Sequence, residues 1–399
     1  HLEMKDRDQT MSIEKYMNLN NVKEEKSIQN HANLNDLEPE IPIFLSEGFP
    51  YSLQDIRKKK DLALAKKIHQ QICGVGLDKV LEDQFVAIFV ECGSIFDARE
   101  VFDRIFRRNV HSWTYLIAGY IRHGEPSHAL DLYSKMCADY VQPNNHTFTA
   151  LLKGCSSLKD MQHGEAIHLE VVKKGFEQDL FVSGALVDIY VKRGWFPEAC
   201  VVFEKLMVRD IVLWNAMIMG YAEYGEDHCA LECFKAMHLH GTSPNAATFS
   251  CILKTFGSLG DIEKAQKLYE EVVMKGLEKD LFIVSSLIEM YIRCGNLFDA
   301  HSVLERFSCR NVVLWNQLIT GYGEYRIYNE VVKCVELMQQ EGIRQDTVTM
   351  VWLLKTSINM QIIQMGLETH IQIIKQGVEA DVYLGSTIVD MYVKFGLIS

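Results

Sequence analysis

The sequence predicts an all-α protein, a right-handed α-solenoid of about ten and a half helix–turn–helix repeats, from three observations. Residues of several types recur every 101 positions along the chain. Apolar residues follow a period of three to four, which is typical of amphipathic helices. Glycine and proline interrupt that period at intervals, where one helix ends and the next begins. A single hairpin cannot bury both its apolar stripes but stacked hairpins can, so the repeats are expected to share one continuous core.

The 101-residue register is visible in seven columns of identical residues. They are Trp113, Trp214 and Trp315; Gly119, Gly220 and Gly321; Tyr120, Tyr221 and Tyr322; Lys153, Lys254 and Lys355; Asp179, Asp280 and Asp381; Tyr190, Tyr291 and Tyr392; and Gly194, Gly295 and Gly396. The aromatic columns are interpreted as stacked core positions rather than functional aromatic boxes. The glycine columns are interpreted as turns or as sites of close helix approach.

Each 101-residue cycle divides into units of 35, 35 and 31 residues. The predicted domains are a flexible acidic segment over residues 1–45 and a solenoid over 46–399. The predicted units are 46–78, 79–109, 110–144, 145–179, 180–210, 211–245, 246–280, 281–311, 312–346, 347–381 and a partial unit, 382–399.

Two helical stripes are expected in each unit, as 211–245 illustrates. One stripe begins at Ile211 and the second at Ala230, with Gly225 breaking the period between them. Gly241 then ends the second helix, as a C-terminal glycine does. The unit is therefore predicted to be a helical hairpin.

The charge balance is acidic, with 41 Lys and Arg against 53 Asp and Glu and a formal net charge of −12. Such a balance argues against non-specific binding of nucleic acids or membranes, which depends on a positive field. If a single strand binds this chain, the sequence-independent part of the affinity should be modest and its salt dependence shallow.

The segment 312–322, Val-Val-Leu-Trp-Asn-Gln-Leu-Ile-Thr-Gly-Tyr, resembles the first helix of a pentatricopeptide repeat. The order of 35-, 35- and 31-residue units resembles the plant P-L-S subclass, to which organellar RNA-editing factors belong. His168 and Ala300 occur where L and S units usually carry them, and the resemblance covers residues 46–399. Tetratricopeptide repeats, with 34 residues, are disfavoured by the alternating unit length.

The resemblance implies binding of single-stranded RNA, one base per repeat, by the fifth and last residues of each unit. The pairs and the bases that the resemblance assigns are Thr114 with Asn144 for adenine, Asn215 with Asn245 for a pyrimidine with cytosine preferred, Ser285 with Asn311 for adenine, Asn316 with Asp346 for uracil, and, more weakly, Thr149 with Asp179 and Ser250 with Asp280 for guanine. The implied core, from its 5′ end, is A-g-n-C-g-A-U-n. Asp83 with Asn109 and Gly184 with Asp210 depart from the usual pairs, so they are assigned no base.

These residues also have structural interpretations. An Asn or Asp at a unit end is a good N-cap for the following helix, a role compatible with base recognition. The second residues Val212, Val313, Phe181 and Phe282 are expected to stack on bases, although packing within the hairpin explains them equally well.

The sequence contains only incomplete catalytic motifs. His168-Leu169-Glu170 matches half of the zinc-deaminase signature, but no Cys-x-x-Cys follows it. Cys229 and Cys233 are interpreted as core thiols, and no deaminase domain is visible. No run of 18 apolar residues occurs. We therefore expect no enzymatic activity, no cofactor, no metal and no membrane partner.

The function implied is sequence recognition in organellar RNA processing, with C-to-U editing favoured. RNA stabilisation, splicing support and a protein-binding scaffold stay open. The implied partners are single-stranded organellar RNA and an editing partner protein or a deaminase supplied in trans. A mitochondrial or chloroplast location follows from the resemblance alone, since residues 1–45 lack the Arg- and Ser-rich, acid-poor pattern of a transit peptide.

Overall fold

The computed structural model describes residues 53–75, 78–158, 161–378 and 381–397. The predicted acidic segment 1–45 and its boundary lie outside the described residues. The chain divides into two units, residues 1–59 and 60–399. The described part of the first unit is one helix, α1 (Leu53–Lys59).

The described part of the second unit consists of twenty α-helices and contains no strand. They are α2 (Leu62–Val75), α3 (Asp78–Glu91), α4 (Ile95–Arg104), α5 (Val110–Arg122), α6 (Pro126–Ala138), α7 (Asn145–Leu158), α8 (Met161–Lys174), α9 (Leu180–Val191), α10 (Phe196–Lys205), α11 (Ile211–Glu223), α12 (Asp227–Leu239), α13 (Ala246–Leu259), α14 (Ile262–Met274), α15 (Leu281–Arg293), α16 (Leu297–Arg306), α17 (Val312–Glu324), α18 (Tyr328–Gln340), α19 (Thr347–Met360), α20 (Ile363–Gln376) and α21 (Val382–Lys394). The all-α prediction is confirmed.

The odd-numbered helices from α3 to α21 form a continuous packed series along the solenoid. Each packs against the even-numbered helix that follows it, where there is one, and against the odd-numbered helices on either side. The tryptophans Trp113, Trp214 and Trp315 are each only 2% exposed. Their interpretation as core positions is therefore confirmed, and burial of such large side chains dominates the stability of each layer.

One glycine column lies where an added Cβ would meet a side chain of the preceding unit. A Cβ placed on Gly220 of α11 would lie 2.0 Å from Cγ1 of Val191 on α9. At Gly119 and Gly321 the nearest atoms would be 2.7 and 2.9 Å away, on isoleucine side chains. The turn column Gly194, Gly295 and Gly396 has φ angles of +71°, +75° and +71°. Both interpretations of the glycines thus hold, each for a different column.

Candidate nucleic-acid interface

The last residue of each predicted unit from 79–109 to 347–381 caps the helix that opens the next unit. In each case the side-chain oxygen accepts a hydrogen bond from a backbone N–H in the first turn of that helix. The caps are Asn109, Asn144, Asp179, Asp210, Asn245, Asp280, Asn311, Asp346 and Asp381. Capping places all these side chains at equivalent points along the solenoid.

Asn316 and Asp346 meet directly. Nδ2 of Asn316 donates to both carboxylate oxygens of Asp346, at 2.9 and 2.8 Å. A third residue closes the cluster, because Oγ1 of Thr349 donates to Oδ1 of Asn316 at 2.7 Å. Asn316 is only 9% exposed and Thr349 is fully buried. Asp346 is half-buried and is therefore the most accessible residue of this cluster.

The same arrangement recurs one 101-residue cycle earlier. Nδ2 of Asn215 donates to Oδ1 of Asn245 at 3.2 Å, and Oγ1 of Thr248 donates to Oδ1 of Asn215 at 2.6 Å. Thr248 also completes a capping box, since the backbone N–H of Asn245 donates to its hydroxyl at 3.2 Å.

At the corresponding place two cycles before Asn316, two threonine hydroxyls replace the amide of the fifth residue. Oγ1 of Thr114 lies 2.6 Å from Oγ1 of Thr147, which in turn donates to Oδ1 of Asn144 at 2.9 Å. We call these three clusters the threonine junctions; they are Thr114–Asn144–Thr147, Asn215–Asn245–Thr248 and Asn316–Asp346–Thr349.

Sequence reasoning missed the third members, Thr147, Thr248 and Thr349. All three are fully buried. They form one more column in the 101-residue register, so a signal was present in the sequence. It went unnoticed because a Thr near a helix start is commonly only part of a capping box.

The two residues of each weakly assigned pair do not hydrogen-bond to each other. Oγ1 of Thr149 donates to the backbone oxygen of Asn145 at 2.8 Å, and the amide of Asn145 donates to Asp179 at 2.8 Å. Ser250 is 4% exposed, and its buried hydroxyl has no hydrogen-bond partner among the described residues. Asp280 caps α15. We call Thr149–Asp179–Val182 and Ser250–Asp280–Ile283 the apolar junctions, because a buried Val or Ile occupies the place of the buried Thr.

Ser285 and Asn311 do not contact each other either. The Ser285 hydroxyl accepts from Nε2 of Gln317 at 2.8 Å, whereas Asn311 accepts from the backbone N–H of Leu314 at 3.0 Å. Leu314, at the third position of its unit, is buried. Each residue of the predicted pair therefore hydrogen-bonds to a different partner instead.

One pair to which no base was assigned does form a contact. Nδ2 of Asn109 donates to Asp83 at 2.5 Å, above the fully buried Ser112. Burial raises the pKa of the Asp83 carboxyl above its ordinary value, although hydrogen bonds from Ser112 and Asn109 oppose the shift.

The predicted stacking residues lie on the accessible side of their helices. Phe181, Val212 and Val313 are 49%, 52% and 56% exposed, and Phe282 is partly buried. Each directly follows the first residue of a helix opened by a capping Asn or Asp. The half-exposed side chains can therefore contact a flat ligand beside the caps.

Several charged side chains near the fifth residues form ion pairs. The lysine column stands four residues after the fifth position, on the same helix face, and Nζ of Lys254 is 3.0 Å from Glu289. Glu289 also pairs with Arg293 at 2.8 Å, and Asp188 pairs with Lys192 at 2.9 Å. Such pairing keeps the local field weak.

One arginine column stabilises the loops that lead into α5, α11 and α17. Nε and Nη2 of Arg209 each donate at 2.8 Å, to the backbone oxygens of Phe203 and Glu204 at the end of α10. Arg108 and Arg310 make the same pair of contacts one cycle before and after. Each arginine directly precedes a capping residue, so it positions that cap.

The residues considered for catalysis have structural partners. Nδ1 of His168 lies 2.7 Å from the Tyr190 hydroxyl, and His370 makes the equivalent contact with Tyr392 at 2.9 Å. Burial raises the pKa of the Cys233 thiol to about 12, so the thiolate that metals prefer is disfavoured. Cys229 is exposed, so its interpretation as a core thiol is wrong, and Cys233 is half-buried. Of the eleven cysteines, only Cys155 and Cys334 are fully buried.

Two kinds of site are absent from the described part of the chain. It contains no group of three or more His, Cys, Asp or Glu side chains arranged to hold a metal ion. No helix there combines the length and the apolarity needed to cross a membrane.

Models of the PPR repeat match more than half of the chain. The PPR repeat family model matches residues 108–157 and 209–258. The PPR repeat model matches residues 146–176, 182–211, 247–277, 282–312 and 313–343. The chain belongs to the pentatricopeptide repeat family.

Related proteins of Arabidopsis thaliana are considerably longer. The pentatricopeptide repeat-containing proteins At3g63370 and At5g55740, both chloroplastic, are 31% and 30% identical over 88% and 87% of this chain. The mitochondrial At3g09040 is 30% identical over 78% of it. The chain spans 37%, 42% and 30% of the lengths of these relatives.

The solved structure of the pentatricopeptide repeat protein PPR10 in complex with an 18-nt psaJ RNA element has the same fold. It superposes with a TM-score of 0.71 over 87% of this chain and 53% of PPR10, at 19% sequence identity. This likeness establishes the α-solenoid architecture.

Proposed function

We propose that the repeats bind single-stranded RNA and select bases at the threonine junctions. The supporting observation is that each junction combines a buried polar floor with an accessible polar edge. The fold shared with PPR10 supports RNA as the ligand. Buried clusters of this kind are costly unless every group is paired, and a ligand that completes the hydrogen bonding suits their open edge.

The edge of each junction matches the base that the sequence assigns to it. Oδ1 of Asn144 and of Asn245 is occupied by the helix cap, so Nδ2 is the outward group and donates. Adenine N1 and cytosine N3 are acceptors. Asp346 can only accept, and the N3–H of uracil is a donor. The donor or acceptor character of the last residue thus separates adenine and cytosine from uracil.

The biological role we propose is recognition of a transcript in a chloroplast or mitochondrion, as part of C-to-U editing. The chloroplastic and mitochondrial relatives support the location. In this role the described repeats bind, and the chemistry is supplied by an editing partner protein or by a deaminase acting in trans.

A transplant between two threonine junctions tests base selection. Asn316→Thr combined with Asp346→Asn copies the pair Thr114 and Asn144 onto the unchanged Thr349. Gel shifts with RNAs that carry the A-g-n-C-g-A-U-n core, varied at the uracil position, should show the preference move from uracil to adenine by about tenfold or more.

The position assigned to Asn215 and Asn245 is the internal control, and its cytosine preference should not change. Equal affinity for all four bases at every position would contradict base selection and favour a protein-binding scaffold. We also expect a shallow salt dependence, because the chain is acidic overall and Lys254, beside one fifth residue, is already paired with Glu289.

A further inference from the structure

The buried threonine of each junction has one proton to donate and several neighbours to satisfy. At Asn215–Asn245–Thr248, the threonine oxygen accepts from the backbone N–H of Asn245 at 3.2 Å. Two side-chain oxygens are within reach of its proton, Oδ1 of Asn215 at 2.6 Å and Oδ1 of Asn245 at 3.0 Å. The shorter contact indicates that the proton goes to Asn215.

This donation decides which way the Asn215 amide faces. With Oδ1 held by Thr248, Nδ2 must face Asn245 and the open edge. At Asn316–Asp346–Thr349 a second constraint agrees, because the carboxylate of Asp346 can only accept and therefore requires Nδ2 of Asn316 on its side.

The first junction has a hydroxyl in place of the amide. Thr147 has one proton and two acceptors within reach, Oγ1 of Thr114 at 2.6 Å and Oδ1 of Asn144 at 2.9 Å, and either hydroxyl can be the donor in the contact between the two threonines. In both directions Thr147 holds Thr114 beside Asn144, and the Thr114 oxygen keeps a lone pair that can accept from the amino group of adenine while Nδ2 of Asn144 donates to N1.

We propose that Thr147, Thr248 and Thr349 are specificity-determining positioning residues. Each belongs to the unit after the one whose base it influences and holds that unit's fifth residue. Where the fifth residue is Asn215 or Asn316, the threonine also sets the direction of the amide. This inference rests on the proposed function, since it adds a buried third residue to each base-selecting pair. The apolar junctions have Val182 or Ile283 in its place and lack the fifth-to-last contact.

Two single substitutions, made in separate variants, test the proposal, and each is a control for the other. Thr349→Val keeps the shape of the buried side chain and removes only the hydroxyl. It should lower the preference for uracil at its position by about tenfold and leave the cytosine preference intact. Thr248→Val should do the reverse. Affinities are measured by gel shift with the full chain and short single-stranded RNAs varied at one position at a time.

Thr356→Val is the matched control, since Thr356 is buried on the same helix, α19, and its hydroxyl has no hydrogen-bond partner among the described residues. Its base preferences should match those of the wild type, and Thr349→Ser should retain the uracil preference. Should Thr349→Val fail to fold, Thr248→Val alone decides.

Unchanged preference in both valine variants would overturn the proposal. So would an equal loss in Thr356→Val, because it would show that general destabilisation causes the effect. A wild-type chain that binds RNA with no preference at either position would instead overturn the base-selecting function, and the role of the threonines with it.

Discussion

Neighbouring odd-numbered helices pack through polar contacts at the threonine junctions and through apolar contacts at the glycines. Where α11 meets α9, a glycine lets Val191 approach, and the contact is apolar. Where α13 meets α11, Thr248 and Asn215 form a hydrogen bond at 2.6 Å. The fifth and the tenth residue of one unit, Asn215 and Gly220, thus pack in different ways on the same helix. At the fifth position, the third residue of the following unit decides whether a polar cluster forms, because it lies next to the fifth residue of the unit before it.

The largest effect is expected from closing the gap at the glycine contact. Gly220→Ala brings a Cβ within 2.0 Å of Val191, so the helices must separate. We expect the free energy of unfolding to fall by about 1–3 kcal/mol, measured by urea denaturation.

Gly184→Ala is the control, because a Cβ there meets no atom within 4 Å. This second substitution should stabilise the helix by up to about 1 kcal/mol. Equal stability of the two variants would show that the close approach is not a constraint.

The next largest loss of stability is expected where one side chain both caps a helix and belongs to a threonine junction. Asp346→Ala removes the cap of α19 and leaves the amide of Asn316 without its acceptor. Loss of the cap and of the buried hydrogen bond together should cost about 2 kcal/mol.

Asp280→Ala removes a cap without a junction contact, at about 1 kcal/mol. Thermal and urea unfolding of both variants compare the two costs. If they agree, the contact between Asn316 and Asp346 adds nothing to stability.

A smaller, pH-dependent effect is expected at Asp83. Its pKa is raised above 3.8 by burial, so the folded state binds the proton more tightly than the unfolded state does. Stability should therefore fall as pH rises from about 4 through the raised pKa, and stay level above it.

Asp83→Asn should remove that slope, because the amide does not ionise in this range. Urea midpoints recorded from about pH 4 to neutral pH give the comparison. Parallel pH profiles for wild type and variant would contradict the raised pKa.

The smallest effect is expected at an apolar junction. Ser250→Ala deletes a buried hydroxyl that has no hydrogen-bond partner among the described residues, so stability should change by less than about 0.5 kcal/mol. Thr248→Ala, two residues earlier on the same helix, should be clearly destabilising. A change in base preference caused by Ser250→Ala would show that this residue reaches the RNA despite its burial.

Sequence patterns predicted different parts of the site unequally. The capping role of Asn245 and Asp346 could be predicted, because a cap depends on only a few neighbouring residues. The contrast between Asn316 and Ser250 could not. Both are fifth residues, yet one meets its partner and the other is sealed off, since the outcome depends on a residue of the next unit about 33 positions away.

The sequence by itself determined the repeat architecture, because helical period and unit length are expressed in residue types at regular intervals. It also determined which residue columns are candidates for binding. Only the tertiary structure decided which candidates form clusters and which way their donors face. Hydrogen bonds require atoms within about 3 Å, and the side-chain volumes between neighbouring helices set that distance. A pattern that repeats in sequence therefore divides in space into threonine junctions and apolar junctions.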